Sequence, residues 1–268
     1  MITLRIASAV AARLLRSRLL IVAVLFGIVL VIMMAAPIFT IMELKEGGEF
    51  VDAQGIKAMC MPAAIAVMGS MSNLIALLLG STVVRQDIKD GTIFSVLSKP
   101  ISRLQYFIGS VLGAIYCQCS VWLVFGAIWL GFSYLVEKSI QPLHGYILCS
   151  EVVKSILMLS LALAWSQKFS PWIAGALALC TFDGADLSER ALTSLRYLHV
   201  FPGKTVMEIC AFPFPKFMGF DALLHQISET SLAPVSVTWS FIHMFDYLAF
   251  ALLVAWLCFR KMDLISSS

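Results

Sequence analysis

The chain has 268 residues, of which 60% are hydrophobic and 13% charged, with a mean hydropathy of +0.92 and a formal net charge of +3. No water-soluble domain of this length can bury that much apolar surface in one core, so the composition points to a polytopic membrane protein. The apolar runs are of helical length, not short alternating segments divided by turns, which excludes a membrane β-barrel and predicts an all-α bundle forming one domain over residues 1–268.

Residues 1–18 come first. On a helix, Arg5, Arg13 and Arg16 fall on one face and Leu4, Ala7, Val10, Ala11 and Leu14 on the other. Such an amphipathic helix would lie in the membrane interface with its arginines toward lipid headgroups or a protein partner, or serve only as a basic anchor. Six spans are then predicted from runs near the ~20 residues needed to cross a ~30 Å hydrocarbon core. They cover Leu19 to Ile41, Ala58 to Val84, Tyr106 to Val136, Gly145 to Trp165, Pro171 to about Leu195, and Trp239 to Phe259. The first run is too long for the apolar part of a signal peptide and no A-x-A site follows it, which predicts an uncleaved span. The third exceeds what a perpendicular crossing requires, so tilt or an extension beyond the bilayer is expected. In the fifth only Pro171 to Phe182 is cleanly apolar before Asp183, Asp186, Glu189 and Arg190, which predicts a short or broken helix.

Basic residues in short flanks resist translocation and so vote on orientation. With a cytoplasmic N-terminus, eleven Lys and Arg residues lie inside, from Arg5 to Lys261, against Lys45, Lys57 and Lys138 in the short outer loops. Both termini are therefore expected in the cytoplasm, with 85–105 inside and 183–238 as an extracytoplasmic segment. The net charge follows from this sidedness, and the scattered basic residues without interleaved exposed aromatics give no reason to expect nucleic acid. Seven cysteines, at 60, 117, 119, 149, 180, 210 and 258, lie mostly within apolar runs and contain no C-x-x-C pair; Cys117 and Cys119 point to different sides of a helix. They read as small buried hydrophobes.

The most informative stretch is Val84-Arg-Gln-Asp-Ile-Lys-Asp-Gly-Thr-Ile-Phe-Ser-Val-Leu-Ser-Lys-Pro-Ile-Ser-Arg103. A charged run continues the second span, Gly91 permits a turn, Thr92 can cap a short helix from Ile93 to Ser98, and Pro100 ends it. Ile93, Phe94, Val96 and Leu97 would then form an apolar surface outside the membrane, which implies docking to a partner.

Here the residues carry a resemblance. Asp87-x-x-x-Gly91-Thr92, followed by Leu97-Ser98-Lys99-Pro100-Ile101-Ser102-Arg103 and by Gly109 in the third span, resembles the loop of ABC-2 type transporter permeases. Tyr247 in the last span and the ending Phe259-Arg260-Lys261-Met262-Asp263-Leu264 are similar to the way such chains end. The six-span layout, the basic N-terminal helix and the long outer segment before the last span also resemble that family. Asp87 stands where the family commonly has Glu, Ala11 or Ala12 stands near where its interface helix often has an acid, and Asp183 to Pro234 matches no part of the pattern.

The resemblance implies a transmembrane subunit that pairs with a second copy or a sibling permease in a bacterial or archaeal plasma membrane and binds separate cytoplasmic ATPase subunits. In that reading 85–105 is the coupling helix and its flanks, with Asp87, Gly91, Thr92, Ile93, Phe94, Leu97, Pro100 and Arg103 meeting the ATPase. ATP and Mg would be held by that partner, and this chain would carry no cofactor of its own. An alternative of another class is a membrane scaffold of the same fold that binds an ATPase or assembly partners and transmits conformational change without cargo. A polar, continuous cavity at the dimer interface would favour transport, and a sealed apolar one the scaffold.

Enzyme motifs are absent in any complete form. Gly203-Lys204-Thr205 lacks the first glycine of G-x-x-x-x-G-K-[ST], since position 198 is leucine. Asp183-Gly184-Ala185-Asp186 resembles the start of the acidic motif of CDP-alcohol phosphotransferases, but the arginine and later aspartates of that motif are missing. No G-x-S-x-G accompanies His144, His199, His225 or His243.

Ionisable residues within the spans are costly and tend to be paired or to face a cavity. Glu151 and Lys154, three apart, share a face of the fourth span; His243 and Asp246 repeat the spacing in the sixth. Matching depth and opposite charge predict a bridge from Lys154 to Asp246, acting as interhelical glue or lining a substrate path. In the outer segment, Ala211-Phe-Pro-Phe-Pro-Lys-Phe-Met-Gly-Phe220 cannot form a long helix and suits an interfacial or re-entrant lid, or a plain aromatic belt.

Overall fold

The computed structural model describes residues 2–46, 53–93, 101–137, 142–183 and 237–261. Over these residues the chain is all-helical. The helices are α1 (Ile2–Leu15), α2 (Arg18–Glu46), α3 (Ala53–Lys89), α4 (Arg103–Glu137), α5 (Pro142–Ser166), α6 (Pro171–Asp183) and α7 (Val237–Arg260). Of the predicted extracytoplasmic segment, residues 184–236, with the aromatic stretch, lie outside the described residues.

Local chemistry explains where the helices start and stop. The Ser17 hydroxyl accepts the Leu20 N–H at 3.3 Å and so caps α2. The charged run from Arg85 to Lys89 continues α3 without a break, and Gly91, at φ +70°, ends it in the left-handed conformation that costs glycine least. At the start of α4, Ser102 and Gln105 form a reciprocal capping box. The Ser102 N–H donates to Gln105 Oε1 at 3.1 Å, and the Gln105 N–H donates to Ser102 Oγ at 3.2 Å. Pro171 opens α6 at the one helical position where its missing N–H is no loss.

Four helical segments are long and apolar enough to cross a membrane by length and composition: Met61–Lys89, Arg103–Leu135, Pro142–Ser166 and Phe241–Arg260. They carry the second, third, fourth and sixth predicted spans. A fifth counts if Ile2–Leu15 and Leu20–Met33, which meet at 61°, are taken as one broken span. In the fifth predicted span the described helix runs only from Pro171 to Asp183, and the rest of that prediction lies outside the described residues. Several long apolar helices of this kind are compatible with a multi-pass membrane protein. The exterior agrees, because Leu25, Phe26, Ile32, Leu123, Trp172 and Phe250 are exposed, as suits an apolar solvent.

The core is built on α3 and α5, with α2 and α4 packed against α3, α7 against α5, and α1 against α4. Small residues allow the closest approaches. A Cβ at Gly80 of α3 would overlap the carbonyl oxygen of Leu159 on α5. Gly109 and Gly113, one turn apart on α4, seat α1: a Cβ at Gly109 would lie 2.8 Å from Ile6 Cβ, and one at Gly113 2.7 Å from the Ala7 carbonyl oxygen. Hydrogen bonds between helices complete the core. Gln118 Nε2 of α4 donates to Ser72 Oγ of α3 at 2.6 Å, and Trp122 Nε1 of α4 donates to Ser155 Oγ of α5 at 2.8 Å.

The amphipathic helix expected over residues 1–18 is α1. Val10, Ala11 and Leu14 of its apolar face are buried, Leu4 of that face is 68% exposed, and Arg13 turns inward from the basic face. The reason is that α1 packs along α4, so the inward stripe is set by Gly109 and Gly113 and not by the membrane surface alone.

Candidate functional site

The charged insert is anchored at its base by a buried carboxylate. Asp87, in the last turn of α3, is 2% exposed. Its Oδ1 accepts from Arg13 Nη1 of α1 and its Oδ2 accepts from the Tyr106 hydroxyl in the first turn of α4. One side chain thus joins three helices and draws together the two ends of the loop between α3 and α4. A carboxylate taken out of water needs both a counter-charge and a hydrogen bond to each oxygen, and these two donors supply them.

The last helix joins the same junction through aromatic packing. The Tyr106 ring stacks on Phe259 at 6.1 Å, Phe107 stacks on Phe259 at 5.5 Å, and Phe107 meets Trp256 at 5.6 Å. Arg103 Nη1 reaches the Arg260 carbonyl oxygen at 3.4 Å. On the neighbouring side, Arg85 Nε donates to the Ser166 carbonyl oxygen at 2.7 Å and ties α3 to the end of α5. The foot of the loop is therefore in contact with α1, α3, α4 and α7, and one turn away with α5.

The predicted docking residues divide. Gly91 forms the turn, Thr92 is exposed and helical, and Arg103 is exposed at the start of α4. Asp87 and Ile93 are corrected: they are 2% and 0% exposed, because one is consumed by Arg13 and Tyr106 and the other joins the apolar core, so neither faces outward in this chain. Phe94, Leu97 and Pro100 lie outside the described residues.

The ionisable residues of the spans divide as well. Glu151 and Lys154 are both buried and pair at 3.0 Å, as their spacing predicts. The Glu151 carboxylate rests so closely on Gly69 of α3 that a Cβ there would overlap it. His243 is half-buried on α7, and Asp246 is exposed on that helix. Among the described residues no ion pair joins Lys154 to Asp246; the ammonium is held by the carboxylate one turn away on its own helix. No family model matches this chain, and no curated protein matches it.

Two partners at this site escaped sequence reasoning. From the sequence, Tyr106 reads only as the start of a span and Arg13 only as part of a basic face. The available signal was Asp87 itself: an acid in the last turn of an apolar helix needs a donor, and α1 carries arginines able to supply one. The Ser102-x-x-Gln105 capping box was also in plain view. Among the described residues no group of three or more His, Cys, Asp or Glu could hold a metal ion.

Proposed function

We propose that this chain is the transmembrane subunit of an ABC-2 type transporter, moving a substrate across the plasma membrane with ATP hydrolysed by separate cytoplasmic subunits. The observation that carries the proposal is the Asp87 junction. A loop that receives force from a partner must pass it to the spans, and a loose loop would absorb it. Here the carboxylate and the Tyr106–Phe259 stack clamp both ends of the loop to α1, α4 and α7, so displacement of residues 90–102 is transmitted to several helices together.

In this proposal six spans cross the membrane, both termini lie in the cytoplasm, and 85–105 carries the coupling helix. The docking surface consists of the outward residues, including Lys89, Asp90, Thr92 and Arg103, while Asp87 acts from behind as the hinge of the loop. The sequence resemblance and the apolar helices support it. The partner would hold ATP and Mg.

The test is co-purification of the tagged, detergent-solubilised chain from its native host, compared with a Lys89→Glu, Arg103→Glu variant altered only at exposed positions. Recovery of a P-loop ATPase with the parent chain and its loss from the variant is the expected result. Absence of any ATPase from a monodisperse parent preparation would overturn the proposal.

A further inference from the structure

A groove of about 320 Å³ opens at the elbow between α1 and α2, against α3. Its walls are aliphatic over most of their length, from Leu20 and Ala23 on α2 and Ile75, Leu78 and Leu79 on α3. One end is different: Ser17, Arg18 and Gln86 gather there, with Arg18 and Gln86 exposed. From Ile75 to Gln86 the α3 wall rises about 16 Å at 1.5 Å per residue. The groove is thus mostly apolar along about three turns of α3, with Thr82 on that wall and a cation at its mouth.

We infer that this groove binds one acyl chain of an anionic phospholipid, with the phosphate held at Arg18. Three observations lead to that occupant. The volume and the aliphatic walls suit a single hydrocarbon chain. The far face of α2 is exposed and apolar through Ile21, Val22, Leu25 and Phe26, so the helix that forms one wall of the groove meets lipid on its other side. The mouth is basic, and α2 begins there with its first-turn N–H groups, whose partial positive charge favours a phosphate.

The source of affinity follows from the solvent. An acyl chain leaves one apolar medium for another, so burial in the groove contributes little preference of its own. The headgroup must then decide. One basic residue near a membrane surface gives roughly a fivefold preference for an anionic lipid over a zwitterionic one. The site does not depend on the transporter proposal, since it needs only a chain embedded in lipid.

The experiment uses the full-length chain in detergent, titrated with phosphatidylglycerol or phosphatidylcholine of identical acyl chains and followed by native mass spectrometry. One retained phosphatidylglycerol is expected, at roughly fivefold higher occupancy than phosphatidylcholine. Arg18→Gln is expected to lower phosphatidylglycerol to the phosphatidylcholine level. Ala23→Phe, which fills the groove, is expected to remove the retained adduct for both lipids. If Ala23→Phe does not fold, Gln86→Leu at the exposed mouth is expected to lower the occupancy of phosphatidylglycerol alone. Equal retention of the two lipids by the parent chain, unchanged retention in Arg18→Gln, or displacement of the adduct by an equal concentration of inorganic phosphate would each overturn the inference.

Discussion

Arg85 Nε lies 2.7 Å from the carbonyl oxygen of Ser166, the last residue of α5. That carbonyl is among the four at a helix end that have no partner within the helix, so a guanidinium from α3 satisfies it and complements the negative end of the helix dipole. Arg85→Ala is expected to cost about 1.5–3 kcal/mol, the range of a hydrogen bond to a charged group. Hydrogen exchange should quicken in peptides spanning 163–170 while those of α4 stay unchanged. An unaltered exchange profile in that segment would count against the capping role.

The Asp87 junction makes a prediction about coupling. Tyr106→Phe keeps the stack on Phe259 but removes one donor, and is expected to cost about 1 kcal/mol; Asp87→Ala orphans both Arg13 and the tyrosine hydroxyl and should cost more. Arg13 is about one-third exposed, so water partly compensates it when Asp87 is removed, whereas Arg13→Ala strands a carboxylate that is only 2% exposed. Because all three act as a unit, the Arg13→Ala, Tyr106→Phe double variant should depart from additivity by about 0.5–3 kcal/mol in denaturant unfolding. Strict additivity would show that the two donors hold Asp87 independently.

Much of this fold was legible because lipid simplifies the reading. Long apolar runs translate directly into α2, α3, α4, α5 and α7, and the ends of the helices agree with the runs to within a turn or two. The glycine signal was equally direct at Gly91. What the sequence hid was the sidedness of particular polar groups. A charged run beside a span looks solvent-facing, and the family resemblance places Asp87 against a partner. Its burial depends on α1, 74 residues earlier, folding back along α4 to deliver Arg13. Hydropathy carries no information about that contact. Equal depth in the membrane is likewise necessary for a pair such as Lys154 and Asp246, but the rotation of the helices decides it, and Lys154 pairs with Glu151 on its own face.

Close helix approach predicts a sharp contrast between two glycines. At Gly80 an added Cβ meets the Leu159 carbonyl oxygen, which is backbone and cannot rotate away, so Gly80→Ala should cost about 1–3 kcal/mol through separation of α3 from α5. At Gly131 of α4 a Cβ meets nothing within 4 Å, and Gly131→Ala should be neutral or stabilising by up to about 1 kcal/mol from helix propensity. Thermal unfolding of the two variants in the same detergent measures both. Similar melting temperatures would mean that the α3–α5 contact is looser than these distances require.

The buried pair on α5 gives the last prediction. Lys154→Met leaves the Glu151 carboxylate buried against Gly69 without its ammonium partner, and breaking such a pair from one side costs about 3–5 kcal/mol. Adding Glu151→Gln removes the stranded charge, so the Lys154→Met, Glu151→Gln double variant should be more stable than Lys154→Met alone. Asp246→Asn, by contrast, changes an exposed group and should add to Lys154→Met without any coupling beyond about 0.5 kcal/mol. Unfolding free energies of these variants in one detergent distinguish the two arrangements. A rescue of Lys154→Met by Asp246→Asn, with none by Glu151→Gln, would transfer the counter-ion role from α5 to α7.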